Sequence, residues 1–188
     1  MSPSDRQRTE DVAAEPQEFD GPDLSHMSVL VVGSNADTRE IICSILMNLK
    51  VTRLRETATV SSAYAVLREV PPDLIIVDYE TQPSNGLDFV RWVRNGSDSP
   101  NTKVPIILVS GRTDVEVVRM ARDVGIDEFI ALPFSFNLLL ERIQAIANRL
   151  RPFVSSRNYV GPDRRRRHRP TKGHDRRRQD GELSSRKL

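Results

Sequence analysis

Between Ser28 and Leu132 the sequence contains five short strand-like runs, SVLVVG, VTRLRETA, DLIIVD, KVPIILVS and EFIAL, and a segment of helical character follows each one. That alternation constrains the fold more than any other property of the chain. A run such as Leu74 to Val77 shows no apolar–polar alternation, so it suits a strand covered by helices on both faces. The segment ADTREIICSILMNLK places Ile41, Ile42, Ile45, Leu46 and Leu49 at helical spacing. SSAYAVLREV stops at Pro71 and Pro72, and GRTDVEVVRMARDVG closes on Gly125. GLDFVRWVRN and FSFNLLLERIQAIANRL supply the remaining helices, while VTRLRETA is the poorest strand and is expected near an edge. Strand and helix alternating five times predict an α/β protein with a doubly wound, five-stranded, mostly parallel sheet. Right-handed crossovers then bring the carboxyl ends of the strands to one edge, where open sheets of this kind bind ligands.

Charge divides the chain into three parts. Residues 1–26 hold seven acids and two arginines, a net of −5, and contain almost no large apolar residue beyond Phe19 and Leu24. Residues 151–188 hold 13 basic and four acidic side chains, a net of +9, leaving 27–150 near neutral. Neither end has enough apolar side chains to offset chain entropy, so a disordered acidic head and a mostly disordered, arginine-rich tail are expected around one domain. GPDRRR at 161–166 and GHDRRR at 173–178 repeat an arginine cluster twelve residues apart. Arg164, Arg165, Arg166, Arg167, Arg176, Arg177 and Arg178 are therefore candidate anion-binding residues, for nucleic acid, an anionic surface or an acidic protein. Phe153 and Tyr159 offer either stacking surfaces or packing on the domain.

Four places converge on the carboxyl edge of the sheet: GSNADTRE after the first strand, Asp78 after the third, Ser110 after the fourth and LPF after the fifth. With PDLIIVDYETQPSNGLDFVRWVR, VPIILVSGRTD and DVGIDEFIALPF in this order, the chain resembles the CheY-like receiver domains of two-component response regulators, over residues 28 to about 150. The resemblance implies a flavodoxin-like (βα)5 fold. It makes Asp78 the phosphoacceptor candidate, Ser110 the hydroxyl that would contact the phosphoryl group and Phe129 the aromatic switch residue. Gly86 fits the loop pattern eight residues beyond Asp78, whereas the loop proline stands one place late, at Pro83. Pro133 matches a proline that follows a cis peptide bond in the family.

Two departures set the chain apart from that pattern. Gly33 and Ser34 stand where the family has adjacent metal-binding carboxylates, and Leu132 replaces the lysine before the proline. Placing a phosphoryl group on a carboxylate gathers negative charge, which Mg²⁺ and a cationic side chain ordinarily spread. Mg²⁺ is captured through carboxylates, and Asp78 alone remains at the matched positions. Asp37, Glu80 and Arg112 are the nearest substitutes in sequence. The expectation is an atypical pseudo-receiver acting through protein contacts, with no cofactor, and with Mg²⁺ only if Asp78 is active. An active receiver phosphorylated on Asp78 by a histidine kinase is the alternative, and an anion-binding protein using the tail is the third reading.

Other activities find little support in the residues. Ser110 has no histidine within the domain to activate it, His26, His168 and His174 lie in the tails without metal-ligand spacing, and VVGSNADT is not a phosphate-binding loop. No enzyme is expected. The lone Cys43 excludes an intramolecular disulfide and fits a reducing compartment; with no long apolar span or leader pattern, a cytoplasmic protein is expected. The last two helices and last strand are the expected surface for a homodimer or signalling partner, with any outward-facing member of Leu138, Leu139, Leu140 and Ile143 as a contact.

Overall fold

A computed structural model describes residues 24–148, 153–156 and 159–163. Five strands, β1 (Ser28–Val32), β2 (Arg53–Thr57), β3 (Leu74–Asp78), β4 (Ile106–Ser110) and β5 (Glu128–Ala131), alternate with α1 (Ala36–Asn48), α2 (Val60–Glu69), α3 (Gly86–Asn95), α4 (Val115–Val124) and α5 (Phe136–Asn148). The strands form one parallel sheet in the order β2-β1-β3-β4-β5. This is the flavodoxin-like arrangement, with β2, the strand of poorest apolar character, at one edge.

The apolar runs feed both faces of the sheet in alternation. Val29 and Val31, Leu74 and Ile76, and Ile107 and Val109 join the layer beneath α1 and α5. Leu30 and Val32, Ile75 and Val77, and Ile106 and Leu108 join the layer beneath α2, α3 and α4. Every residue of β3 and β4 is buried, which is why those runs lack polar alternation. Truncating one of these, for example Ile76→Ala, would cost about 2–5 kcal/mol. Side chains at the helix starts fix the entry points: Asn35, Thr59, Asn85 and Asp114 accept from the backbone N–H of Thr38, Ser62, Asp88 and Val117.

The structure departs from the sequence reading at both ends. Leu24, expected within the acidic head, is 2% exposed and belongs to the α1–α5 layer. Beyond α5, residues expected in a mostly disordered tail form an antiparallel pair, β6 (Phe153–Ser156) and β7 (Tyr159–Pro162). β7 packs against α3 and α4 at the edge formed by the N-terminal ends of the strands, opposite Asp78. Contact there depends on glycine. A Cβ on Gly161 would lie 2.8 Å from Gly125 Cα, and one on Gly125 would lie 2.5 Å from Val160 O. Gly125 also holds φ +97°, a left-handed helix terminus that other residues adopt at a cost.

This hairpin covers Arg94, whose side chain is wholly buried. Its Nε donates to Gly125 O at 2.9 Å, Nη1 to Thr102 O at 2.9 Å and Val104 O at 2.7 Å, and Nη2 to Asp127 Oδ2 at 3.0 Å. Phe153 lies against the guanidinium, 5.5 Å from ring centre to Cζ. Burial lowers the Arg94 pKa to about 10, opposed by the Asp127 charge, so the group stays cationic at neutral pH. Phe153 thus packs on the domain. The seven tail arginines, with His168 and His174, lie outside the described residues, as does the head up to residue 23.

Candidate functional site

The end of β3 sets the centre of the site. Val32 pairs with Val77, which brings Gly33 level with Asp78, while Asp78 pairs with Val109 and Ser110 with Ala131. Asp78, Gly33, Ser34 and Ser110 therefore share one edge of the sheet, as the order of crossovers requires. Asp78 is 6% exposed. Its Oδ1 accepts from Glu80 N at 3.0 Å, and its carbonyl oxygen accepts from the buried Thr81 hydroxyl at 2.5 Å. Burial raises the carboxyl pKa above its ordinary value; the Glu80 N–H opposes that shift and the Glu80 charge adds to it. Gly86 is required by packing, because a Cβ there would come within 2.4 Å of Asp78 O.

Gly33 and Ser34 leave the acidic side of the site empty of carboxylate. A Cβ on Gly33 would sit 3.1 Å from Asp78 Cβ and 3.7 Å from Oδ2, directly against the acid. Ser34 Oγ is already engaged, accepting from Gln82 N at 2.7 Å. Asp37 lies exposed in the first turn of α1 and Glu80 is exposed in the loop. Among the described residues no cluster of three or more His, Cys, Asp or Glu side chains forms a metal site. The donor set around Asp78 does not fit a divalent cation that demands several hard oxygen ligands.

Ser110 and Leu132 complete the picture on the other side. Ser110, fully buried, turns its hydroxyl into its own loop: Oγ donates to Arg112 O at 3.0 Å and accepts from Arg112 N at 2.9 Å. Arg112 does not reach inward. Its guanidinium lies over Tyr79, 5.7 Å from the ring centre, and 3.5 Å from the Asp114 carboxylate. Leu132 packs on the α1–α5 layer and precedes a cis peptide bond to Pro133. Phe129 is half-buried against the opposite layer.

Three residues at this edge escaped sequence reasoning. Arg39 folds back from α1 to donate Nη1 to Gly33 O at 2.6 Å and Ser34 O at 3.3 Å, with Nε 3.5 Å from Glu56 Oε2. Thr81 and Gln82 tie the loop after β3 to Asp78 and Ser34. For Gln82 a signal existed: with proline displaced to 83, residue 82 carries an N–H that must find a partner.

The sequence profile of the response regulator receiver domain matches residues 29–144. The chain belongs to this family. It is 29% identical over 126 residues to the phosphate regulon transcriptional regulatory protein PhoB of Escherichia coli, covering 67% of this chain and 54% of PhoB. This receiver thus spans about half the length of the curated relatives it matches. Its fold superimposes on the receiver domain of the Arabidopsis thaliana histidine kinase CKI1, solved with Mg²⁺ and BeF₃⁻, at a TM-score of 0.60 and 25% identity, covering 67% of this chain and 93% of that one. It also matches the chemotaxis protein CheY4 of Vibrio cholerae at a TM-score of 0.58 and 24% identity, over 64% of this chain and 98% of that one. Among the described residues no helix is long and apolar enough to cross a membrane.

Proposed function

We propose that this receiver is a pseudo-receiver, a two-component signalling module that works through protein contacts with Asp78 unmodified. The observation that carries this reading is the composition of the acceptor edge: Gly33 lies against Asp78 with no side chain, and the Ser34 hydroxyl is already bonded to the Gln82 N–H. Phosphorylation of an aspartate needs cations where charge accumulates. Leu132 supplies none, and Arg112 is engaged with Tyr79 and Asp114. The retained acid then serves the fold, capping the loop through Glu80 N.

The contact surface we assign to this module is α4. Val115 is 85% exposed, and Val118 and Met120 accompany it, because only Val117 and Ala121 of that helix are buried. The α5 side chains considered from sequence serve the core instead: Leu139, Leu140 and Ile143 are buried and Leu138 is partly buried against them. Partner or second-copy contacts are therefore expected on α4 rather than on those leucines. The alternative of an anion-binding protein using the arginine-rich tail falls on residues outside the described ones, and salt-sensitive retention on nucleic acid tests it.

Thermal melts in the presence of Mg²⁺ and of chelator test the proposal. Coincident curves are expected, since a ligand stabilises only the state that binds it. A clear rise in Tm with Mg²⁺ would refute it.

A further inference from the structure

The loop between β3 and α3 is held by hydrogen bonds that begin at Ser34, one of the three positions that depart from the family pattern. Ser34 Oγ accepts from Gln82 N at 2.7 Å. On the other side of the same residue, Gln82 O accepts from Val60 N at 3.2 Å, and Thr59 pairs with Gln82 in an isolated parallel bridge. Behind them Thr81, 2% exposed, bonds Asp78 O, and Glu80 N bonds the Asp78 carboxylate. The end of β1, the start of α2 and the loop that covers Asp78 thus meet at one residue, Gln82.

Two residue choices make that junction. Position 82 must carry an N–H, which proline lacks, and the proline of this loop stands one place later at Pro83. Position 34 must accept that N–H from a short side chain. A carboxylate could also accept it, but would add a second negative charge beside a buried acid. Serine accepts without charge, so it suits an edge that takes no cation.

We propose that Ser34 and Gln82 form a latch that closes the β3–α3 loop over Asp78 and keeps it closed without a metal ion. The inference rests on the metal-free reading of the site given above and assigns Ser34 a role in it. Ser34 is a positioning residue: it touches Gln82, and through the loop it sets how far Asp78 is shielded from solvent. An ordinary hydrogen bond at the protein surface is worth about three- to tenfold in the opening equilibrium.

The test uses the full chain, comparing wild type, Ser34→Ala and Ser34→Thr by residue-resolved amide exchange. Asp78 access is read separately, by carboxyl labelling with a water-soluble carbodiimide and an amine. Ser34→Ala should speed exchange at Gln82 and Val60 by about three- to tenfold and raise Asp78 labelling by a similar factor, whereas Ser34→Thr should preserve both. Gly33 N–H, which bonds Thr57 O at 3.0 Å outside the latch, should not change. Unchanged exchange at Gln82 and Val60 in Ser34→Ala would overturn the latch, as would acceleration that includes Gly33. Unchanged Asp78 labelling would overturn the closing role. Should Ser34→Ala fail to fold, Gln82→Pro removes the donor instead; position 82 then carries no amide to follow, and Val60 exchange and Asp78 labelling must rise as expected for Ser34→Ala. In wild type, exchange at Gln82 should be equal with Mg²⁺ and with chelator. Phosphorylation of Asp78 would refute the pseudo-receiver reading while leaving the alanine and threonine comparison intact.

Discussion

Arg94→Met should cost about 4 kcal/mol of stability, a large fraction of the margin of a domain this size. Methionine replaces the aliphatic stem but no donor. The carbonyls of Gly125 and Val104 would lose partners at 2.9 Å and 2.7 Å in a buried setting, and each such loss costs about 1–3 kcal/mol. The Thr102 carbonyl is closer to solvent, so water can replace part of its bond. Asp127 is 17% exposed and keeps the Ile106 N–H at 2.9 Å, which limits its penalty to about 1 kcal/mol. The total agrees with the range found when one partner of a buried ion pair is removed. Urea unfolding followed by Trp92 fluorescence reads it out. With a slope of about 2 kcal/mol per molar urea, the midpoint should fall by about 2 M. Arg94→Lys should lie between, because one ammonium cannot reach the same set of carbonyls. A loss below about 1 kcal/mol for Arg94→Met would refute the view that this cation joins α3, β4, β5 and the hairpin.

Further outcomes follow from other contacts. Gly161→Val puts side-chain atoms into Gly125 and the Tyr159 ring, so it should undock β6 and β7, cost about 1–3 kcal/mol and open residues 153–163 to limited proteolysis. Asp78→Asn should raise Tm at neutral pH. The native carboxyl pKa is raised by burial, so the native state holds its proton more tightly and loses stability as pH climbs from the unfolded value through the native one. That advantage should disappear below the unfolded pKa, where both states are protonated, and persistence there would contradict the cause assigned. Cys43 is buried, and burial with the adjacent Glu56 charge pushes its thiol up to about 11. A thiol reagent at pH 8 should therefore label native protein far more slowly than urea-unfolded protein.

Much of the fold could be read because its central strands obey one rule. Runs such as LIIVD and IILVS are buried on both faces, so their apolar character shows without any knowledge of neighbours. The position of Asp78 was legible for the same reason, since the acid ends a run that leaves it nowhere but the sheet edge. Arg94 was not legible. A charged residue in the last turn of a helix reads as solvated, and only the meeting of three carbonyls and Asp127 around it explains its burial. β6 and β7 escaped notice because each has four residues and they rest on a contact between two glycines 36 positions apart. Leu24 was isolated among acids, and its place in the core depends on where β1 begins. Ser34 could be recognised as a missing acid; its bond to Gln82 required the loop.

The most direct test of the central claim is the intact mass of the full chain after incubation with Mg²⁺ and a small phosphoryl donor, beside Asp78→Asn. The pseudo-receiver reading predicts no added phosphoryl group on either protein, with both folded by circular dichroism. A gain of one phosphoryl group on the wild type, absent from Asp78→Asn, would contradict it and make Asp78 a working acceptor despite Gly33, Ser34 and Leu132.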